Sequence, residues 1–226
     1  MTAFQGIKVC IFDAYGTLLD LSAMIERFRP DLGDKAEAFF KAWRSKQLEI
    51  SWLFNPSIRK ADFWLVTREA LDETMTAFDL YDTRLLARMM DAWLSPNLYA
   101  EVPVVLARLR SAGFKTAILS NGTRKMLTAG ISAAGMDSLL DAVLSVEEVG
   151  AFKPKPAVYK LAADHFAVAP QSVCFVSGNI WDIHGAVAFG FNVVWVNRGG
   201  APPEKLPRDN AATTTTLAEL PALLGA

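Results

Sequence analysis

Short apolar runs alternate with helical patterns along most of the chain, and this alternation constrains the fold more than any other feature. The runs are rich in β-branched residues and end at turn-forming residues, which is typical of buried strands. They cover residues 7–12, 115–119, 142–144, 173–176 and 193–196. Helical patterns cover residues 102–111, 124–134, 157–166 and 183–189. Strands that alternate with helices predict an α/β protein built on a parallel sheet.

Residues 21–97 interrupt this alternation, because they contain no convincing strand. Amphipathic patterns predict helices over residues 35–50, 61–76 and 83–93. A helical block of this size, between the first two strands, predicts an inserted cap on a core made of residues 1–20 and 98–226. The tail over residues 199–216 is rich in Pro, Gly and Thr, so we expect irregular structure there, followed by a short helix over residues 217–224.

The charge balance and the cysteine and histidine counts argue against several classes of function. The 226 residues include 23 Lys and Arg against 24 Asp and Glu, so no large positive field exists to attract nucleic acid or an anionic membrane. No apolar run reaches the ~18 residues of a membrane span, and the start lacks the pattern of a signal peptide, so we expect a cytoplasmic protein. With only Cys10, Cys174, His165 and His184, a disulfide scaffold or a zinc site is not expected.

Polar side chains follow four of the predicted strands. They are Asp13 and Thr17, then Ser120 and Asn121, then Lys153, and finally Ser177, Asn179 and Asp182. The carboxyl ends of parallel strands meet at the same edge of a sheet, where ligands bind in such proteins. We therefore expect these side chains to share one crevice.

Each of these residues has both a functional and an ordinary structural interpretation. Asp13 can act as a nucleophile that forms an ester, because a carboxylate is already ionised at neutral pH, with Lys153 as its buried partner. The structural alternatives are turn capping by Asp13, an Asn-Gly turn at residues 121–122, a solvated Lys153, helix capping by Asp182, and loop stabilisation by Ser177 and Asn179.

In their order along the chain, the motifs between residues 12 and 197 resemble those of the haloacid dehalogenase superfamily. Asp13 matches the nucleophile, Ser120 the second motif, Lys153 the third, and residues 177–182 the fourth. The resemblance implies a Rossmann-like parallel sheet core with a helical cap inserted after the first strand.

Two positions separate the chain from the magnesium-dependent phosphatases of that superfamily. Those enzymes carry a second Asp two residues after the nucleophile, where this chain has Tyr15, and an Asp in the fourth motif, where it has residues 177–179 without a carboxylate. Magnesium prefers carboxylate ligands, so we expect no metal and no cofactor. The L-2-haloacid dehalogenases lack the second Asp, and this chain is similar to them over residues 13–18, 43–44, 47–49, 118–122, 153–154, 159 and 179–182.

The resemblance implies hydrolysis of short (S)-2-haloalkanoic acids to (R)-2-hydroxy acids. Asp13 displaces halide from C2, and water then cleaves the resulting ester at the Asp13 carboxyl carbon. The implied catalytic residues are Asp13, Thr17, Arg44, Ser120, Lys153, Tyr159, Ser177, Asn179 and Asp182. The implied substrate and halide contacts are Tyr15, Arg44, Leu48, Phe63, Ser120, Asn121 and Trp181.

Several roles within that set follow from the resemblance. Arg44, with Asn121, receives the departing halide, and Ser120 donates to the substrate carboxylate. Asp182 and Asn179 position or activate the water. Lys153 pairs with Asp13, aided by Thr17 and Ser177, and Tyr159 orients the group.

The chain also departs from the subfamily pattern at Ser45, Ile50, residues 53–56 and Gly178, and a helix is expected to break before Pro56. These departures affect the cap side of the pocket more than the catalytic set.

The implied partners are a 2-haloacid, halide and a second copy of the chain, with no nucleic acid and no membrane. The alternatives are a magnesium-dependent phosphatase or phosphotransferase, and a binding protein for a small carboxylate.

Overall fold

The computed structural model describes residues 4–206 and 209–226, and a six-stranded parallel sheet lies at its centre. The strands are β1 (Val9–Phe12), β2 (Leu19–Asp20), β3 (Asn97–Leu98), β4 (Lys115–Ser120), β5 (Ala142–Ser145), β6 (Val173–Ser177), β7 (Asn192–Val196) and β8 (Ala211–Thr214). The main sheet has the order β5-β4-β1-β6-β7-β8, and β2 pairs with β3 separately. The parallel sheet and all five strands predicted for it are confirmed.

The register of the sheet sets the position of the polar residues. Strand β1 is completely buried, and Phe12 at its end pairs with Ile118 on β4 and with Val176 on β6. The three central strands therefore end close together, so the residues that follow them meet at one edge of the sheet.

The helices fall into two groups. Those connecting the sheet strands are α5 (Val102–Ser111), α6 (Arg124–Ala133), α7 (Pro156–Phe166) and α8 (Ile180–Phe189), and α9 (Leu220–Leu224) lies near the end of the chain. Those between β2 and β3 are α1 (Leu21–Leu32), α2 (Ala36–Leu53), α3 (Phe63–Ala77) and α4 (Thr83–Ala92). We call this second group the helical insertion. The predicted helices are confirmed, as is the break before Pro56.

Helix α1, strand β8 and the short strands β2 and β3 were not predicted. Helix α1 contains Pro30 in its last turn, which weakens the helical pattern of that segment. The expectation of an irregular tail over residues 199–216 is wrong for Ala211–Thr214, because β8 pairs with β7 at the edge of the sheet. Threonine favours strands, and the threonine run was the available signal. Residues 1–3 and 207–208, assigned to the core and the tail, lie outside the described residues.

The antiparallel pair β2–β3 is where the chain leaves the sheet and returns to it. Leu19 pairs with Leu98 and Asp20 with Asn97, so both ends of the helical insertion are joined at its base. The insertion has an aromatic interior of its own, in which Trp43 and Phe39 are buried. In the described part of the chain, no helix combines the length and the apolar character that crossing a membrane requires.

Candidate active site

Asp13 follows β1 directly and is almost completely buried. Its backbone N–H donates to the carbonyl oxygen of Val176 (2.9 Å), which fixes the main chain beside β6. The carboxylate accepts three side-chain bonds: from Lys153 Nζ at 3.1 Å on one oxygen, and from Thr17 Oγ1 at 3.1 Å and Asn179 Nδ2 at 2.8 Å on the other. These bonds hold the carboxylate in one orientation.

Lys153 is 1% exposed and lies between two carboxylates. Its Nζ is 3.1 Å from Asp13 Oδ1 and 2.7 Å from Asp182 Oδ2. The ammonium also lies 4.9 Å from the centre of the Phe175 ring, which adds a cation–π attraction. A buried lysine of this kind is stable only because it is paired, so Lys153 links the two carboxylates into one cluster.

Asp182 lies in the first turn of α8 and is fully buried. The Tyr159 hydroxyl donates to Asp182 Oδ1 at 2.7 Å. Burial raises the pKa of Asp182 above the ordinary value, and the charge of Asp13 adds to this, although Lys153 and Tyr159 act in the opposite direction. Burial and the Asp182 carboxylate also raise the pKa of Tyr159, which therefore remains a donor. A carboxyl group with a raised pKa is suited to accept a proton from water.

Asn179 and Ser177 make contacts that the sequence did not predict. The expected role of Asn179 toward the water stays a prediction; in addition, its Nδ2 donates to Asp13 Oδ2 and to the backbone oxygen of Tyr15 (3.3 Å). Ser177 was assigned to Lys153, but its hydroxyl accepts from the backbone N–H of Asn179 (3.0 Å). Both residues therefore reach the cluster through Asp13: Asn179 directly, and Ser177 by holding the Asn179 loop.

Gly178, one of the departures from the subfamily pattern, has a local cause. A Cβ atom at this position would lie 2.4 Å from the backbone oxygen of Gly16, closer than any real contact allows. The backbone N–H of Gly178 donates to Thr17 Oγ1 at 2.9 Å, which joins the same two loops. In this chain the loop after β1 and the loop after β6 approach so closely that only glycine fits at position 178.

A small cavity lies against the Asp13 carboxylate. It is lined by Asp13, Tyr15, Arg44, Phe63, Ser120, Asn121 and Trp181. This set contains every expected substrate and halide contact except Leu48, which lies on α2 one turn, about 6 Å, beyond Arg44. The cavity measures about 10 Å³, room for about one water molecule.

Ser120 and Asn121 present hydrogen-bond donors to this cavity. The Ser120 hydroxyl oxygen accepts from the backbone N–H of Gly122 (3.2 Å), which leaves its own proton for another acceptor. The side-chain oxygen of Asn121 accepts from the backbone N–H of Lys153 (2.9 Å), so its amide nitrogen is the end that can donate to a molecule in the cavity. The cavity therefore offers donors suited to an anion.

Arg44 is the cation that the helical insertion contributes to the cavity. Its Nη1 donates to Gln47 Oε1, and no ion pair involves Arg44 among the described residues. Burial lowers the pKa of Arg44, while the charges of Asp13 and Asp182 act against this change. Arginine remains charged in proteins, so the guanidinium brings a positive charge to the cavity without an ion-pair partner in the described part of the chain.

The sequence analysis gave no role to Gln47 or Thr67, although both are buried polar residues of the helical insertion. Gln47 Nε2 donates to Thr67 Oγ1 at 2.6 Å. The available signal for Gln47 was its position one turn after Arg44 on α2, where the two side chains are neighbours.

The donor set resembles an ion-paired cluster more than a metal site. Among residues 4–206 and 209–226, no three His, Cys, Asp or Glu side chains are grouped to hold a metal ion. The Lys153 ammonium occupies the position between the two carboxylates.

Comparison with known proteins agrees with this geometry. The family model described as haloacid dehalogenase-like hydrolase matches residues 7–190, a range that includes the helical insertion and every residue of the cluster. The chain belongs to this family. Within the family, (S)-2-haloacid dehalogenase 1 of Pseudomonas sp. (strain CBS-3) is 44% identical over 219 residues, which are 96% of each protein.

Two further relatives extend the comparison. (S)-2-haloacid dehalogenase 4A of Burkholderia cepacia is 43% identical over 201 residues, covering 88% of this chain and 87% of that protein. The structure of the L-2-haloacid dehalogenase from Xanthobacter autotrophicus with chloropropionic acid covalently bound is similar with a TM-score of 0.85, at 36% identity, covering 97% of this chain and 99% of that one.

Proposed function

We propose that this protein hydrolyses short (S)-2-haloalkanoic acids to (R)-2-hydroxy acids and releases halide. The observation that carries this proposal is the Asp13 carboxylate, held by three donors against a small cavity into which the helical insertion brings Arg44. The names of the relatives support the same reaction, as does the haloacid found covalently bound in one of them.

In the first step, Asp13 is the nucleophile. One of its oxygens forms a bond to C2 of the substrate from the side opposite the halogen, and the carbon–halogen bond breaks with its electron pair leaving on the halide. Halide needs no proton to leave, so the absence of a general acid at Tyr15 does not impede the step. Attack from the opposite side inverts C2.

In the second step, water cleaves the ester. Asp182 accepts a proton from the water, whose oxygen bonds to the carboxyl carbon of Asp13. The bond from that carbon to the ester oxygen then breaks, and Asp182 returns the proton to this oxygen as the 2-hydroxy acid leaves. The second proton of the water is released when the Asp13 carboxylate re-forms. Lys153 donates to both carboxylates, so it is placed to stabilise negative charge that develops on Asp13. Tyr159 holds Asp182 in orientation.

The remaining residues bind the substrate and the halide. Arg44 and Asn121 receive the halide, and the Ser120 hydroxyl donates to the substrate carboxylate. Tyr15, Phe63 and Trp181 surround the alkyl group with aromatic rings.

Residues 21–97 act as a cap over a core of residues 1–20 and 98–226. The free space in the cavity is smaller than a haloacid, so we expect the cap to move when the substrate enters. A cleft of about 490 Å³, lined by residues on both sides of the boundary, shares Phe63 with the cavity. Phe63 packs against Phe152 of the core with 5.7 Å between the ring centres, and it lines both the cleft and the cavity beside Asp13.

The protein is further proposed to act in the cytoplasm as a homodimer. Both cysteines are free and buried, which suits a reducing compartment. The helical insertion exposes large apolar side chains, with Leu53 77% and Ile58 81% exposed. Apolar groups exposed close together favour association. Analytical ultracentrifugation tests the dimer, and a species with the mass of one chain contradicts it.

A halide-release screen tests the reaction itself. Halide is expected from (S)-2-chloropropanoate but not from its R enantiomer, at the same rate with and without EDTA. Polarimetry of the product is expected to show the (R)-2-hydroxy acid. If folded protein releases no halide from chloro-, bromo- or fluoroacids but cleaves a phosphate ester when magnesium is added, the phosphatase alternative is correct instead.

Replacing Arg44 is expected to slow halide departure more than it weakens binding. Arg44→Lys should lower kcat about a hundredfold. The lysine ammonium is a single point charge without the planar fork of arginine, so it cannot both bind Gln47 and face the halide. Steady-state kinetics with the chloro and bromo substrates measures this, and the chloro substrate should lose more. The matched control is Arg84→Lys on the exposed face of α4, which should keep the wild-type rate. An unchanged kcat for Arg44→Lys contradicts the assignment.

The second step is expected to slow as the pH is lowered. Burial raises the pKa of Asp182, so its carboxyl takes up a proton at a higher pH than an exposed aspartate does, with a midpoint above ~4. The protonated form cannot accept a proton from water. A pH profile of kcat measures the midpoint, and the small residual rate of Asp182→Asn should lack it. A wild-type profile that stays flat through the acid range contradicts the role of Asp182.

A further inference from the structure

The side chain of Gln47 is completely buried between α2 and α3, yet both ends of its amide are hydrogen-bonded. Its oxygen accepts from Arg44 Nη1, one helical turn away, and its nitrogen donates to Thr67 Oγ1 at 2.6 Å. Leaving a buried amide unpaired is costly, so both bonds restrict the conformation of this side chain.

The hydroxyl of Thr67 determines which end of the amide faces Arg44. Thr67 Oγ1 donates its single proton to the backbone oxygen of Phe63 at 2.6 Å, so toward Gln47 it can only accept. The nitrogen of Gln47 therefore has to face Thr67, and the oxygen has to face Arg44. A flip of the amide would place two donors against each other at Arg44 and two acceptors at Thr67.

A second bond holds α2 against α3 at the same level. The indole nitrogen of Trp43 donates to the backbone oxygen of Thr67 at 3.0 Å, and both residues are buried. Gln47 is thus bonded at a level where α2 and α3 are joined twice, and its bond to Arg44 restricts the position of the guanidinium.

Glutamine is a neutral acceptor, and this matters for the charge of the cavity. A carboxylate in its place would also orient the guanidinium, but it would form an ion pair and cancel the charge that faces the halide. Gln47 orients Arg44 without neutralising it, which leaves the full charge for an anion.

We infer that Gln47 is a positioning residue: fixed by Thr67, it holds the Arg44 guanidinium in place for the halide. This inference rests on the proposed function, because it assumes that Arg44 binds halide. It gives a role to two polar side chains that are buried where α2 packs against α3.

Chloride binding to the resting protein tests the inference without relying on turnover. Gln47→Met keeps the length of the side chain but removes the acceptor, and it should raise the chloride dissociation constant about tenfold, with a similar loss in kcat. Gln47→Glu should weaken chloride binding at least as much, although it retains an acceptor. Chloride NMR line broadening gives the constant, and Gln171→Met, at an exposed position, is the matched control.

A double-mutant cycle separates positioning from a general effect on the fold. In an Arg44→Lys background, Gln47→Met should cost little more in chloride affinity, because the guanidinium that it orients is gone. If the two substitutions instead lower chloride affinity by independent factors that multiply, the inference is overturned. So would wild-type chloride affinity and kcat in Gln47→Met.

The Thr67 position offers a second test if Gln47→Met does not fold. Thr67→Val keeps the shape but removes the hydroxyl, and it should weaken chloride binding, while Thr67→Ser should restore it. Equal chloride affinity in Thr67→Val and the wild type overturns the inference. Wild-type protein that binds chloride through Arg44 and Gln47 but turns over no haloacid would instead contradict the proposed function alone.

Discussion

Asp13→Asn is expected to abolish halide release, with kcat lowered at least about ten-thousand-fold, because a neutral amide is a poor nucleophile toward C2. The substitution changes one atom and leaves the bond from Thr17 available. It removes the ion pair with Lys153, so the fold has to be checked by thermal melting. Halide release under saturating substrate measures the loss.

Two controls make the Asp13 result specific. Asp91→Asn, at an exposed position of α4, should keep wild-type activity. A single turnover in water labelled with heavy oxygen should place the label in Asp13 of the protein rather than in the hydroxy acid, because water attacks the carboxyl carbon of the ester. Label found only in the product would show that water attacks C2 directly, and Asp13 would then not be the nucleophile.

Lys153→Met should be the most destabilising single substitution in the site. It leaves the carboxylates of Asp13 and Asp182 buried without the cation between them, and breaking a buried pair in this way costs roughly 3–5 kcal/mol. Activity should be lost as well, because the developing charge on Asp13 is no longer stabilised. Urea denaturation at neutral pH measures the first effect and halide release the second.

The pH dependence of this loss has a defined sign. Lys153 lowers the pKa of Asp182, so its removal raises that pKa further above the unfolded value. The native state then binds more protons than the unfolded state between ~4 and the raised pKa, so the free energy of unfolding falls as the pH rises through this range. The variant should therefore regain part of its stability in mild acid. Lys125→Met, at an exposed position, should show neither effect, and a Lys153→Met protein as stable as the wild type would contradict the assignment.

The polar cluster could be predicted because it depends mainly on strand direction. Parallel strands end at the same edge of a sheet whatever their order, so Asp13, Ser120 and Ser177 had to meet once the alternation was recognised. The resemblance to the haloacid dehalogenases then implied that Lys153 and Asp182 belong to the same group. The orientation of Asn179 could not be predicted, because it depends on how closely the loops at Gly16 and Gly178 approach.

The contacts inside the helical insertion could not be predicted from the sequence pattern. Helical periodicity shows which face of α2 is apolar, but not which residue of α3 it meets. The pairing of Gln47 with Thr67 depends on that packing, and each residue alone is an ordinary polar side chain. Strand β8 was missed for a related reason, since four Ala and Thr residues form a strand there only because β7 offers them an open edge.

The cavity beside Asp13 limits which molecules can compete for the ester. Its free space has about the volume of one water molecule, and the aromatic rings of Tyr15, Phe63 and Trp181 line it. Water is small enough to enter such a space, and Asp182 lies in the same cluster to accept its proton. A crowded site of this kind favours water over bulkier thiols and amines as the acceptor of the acyl group on Asp13.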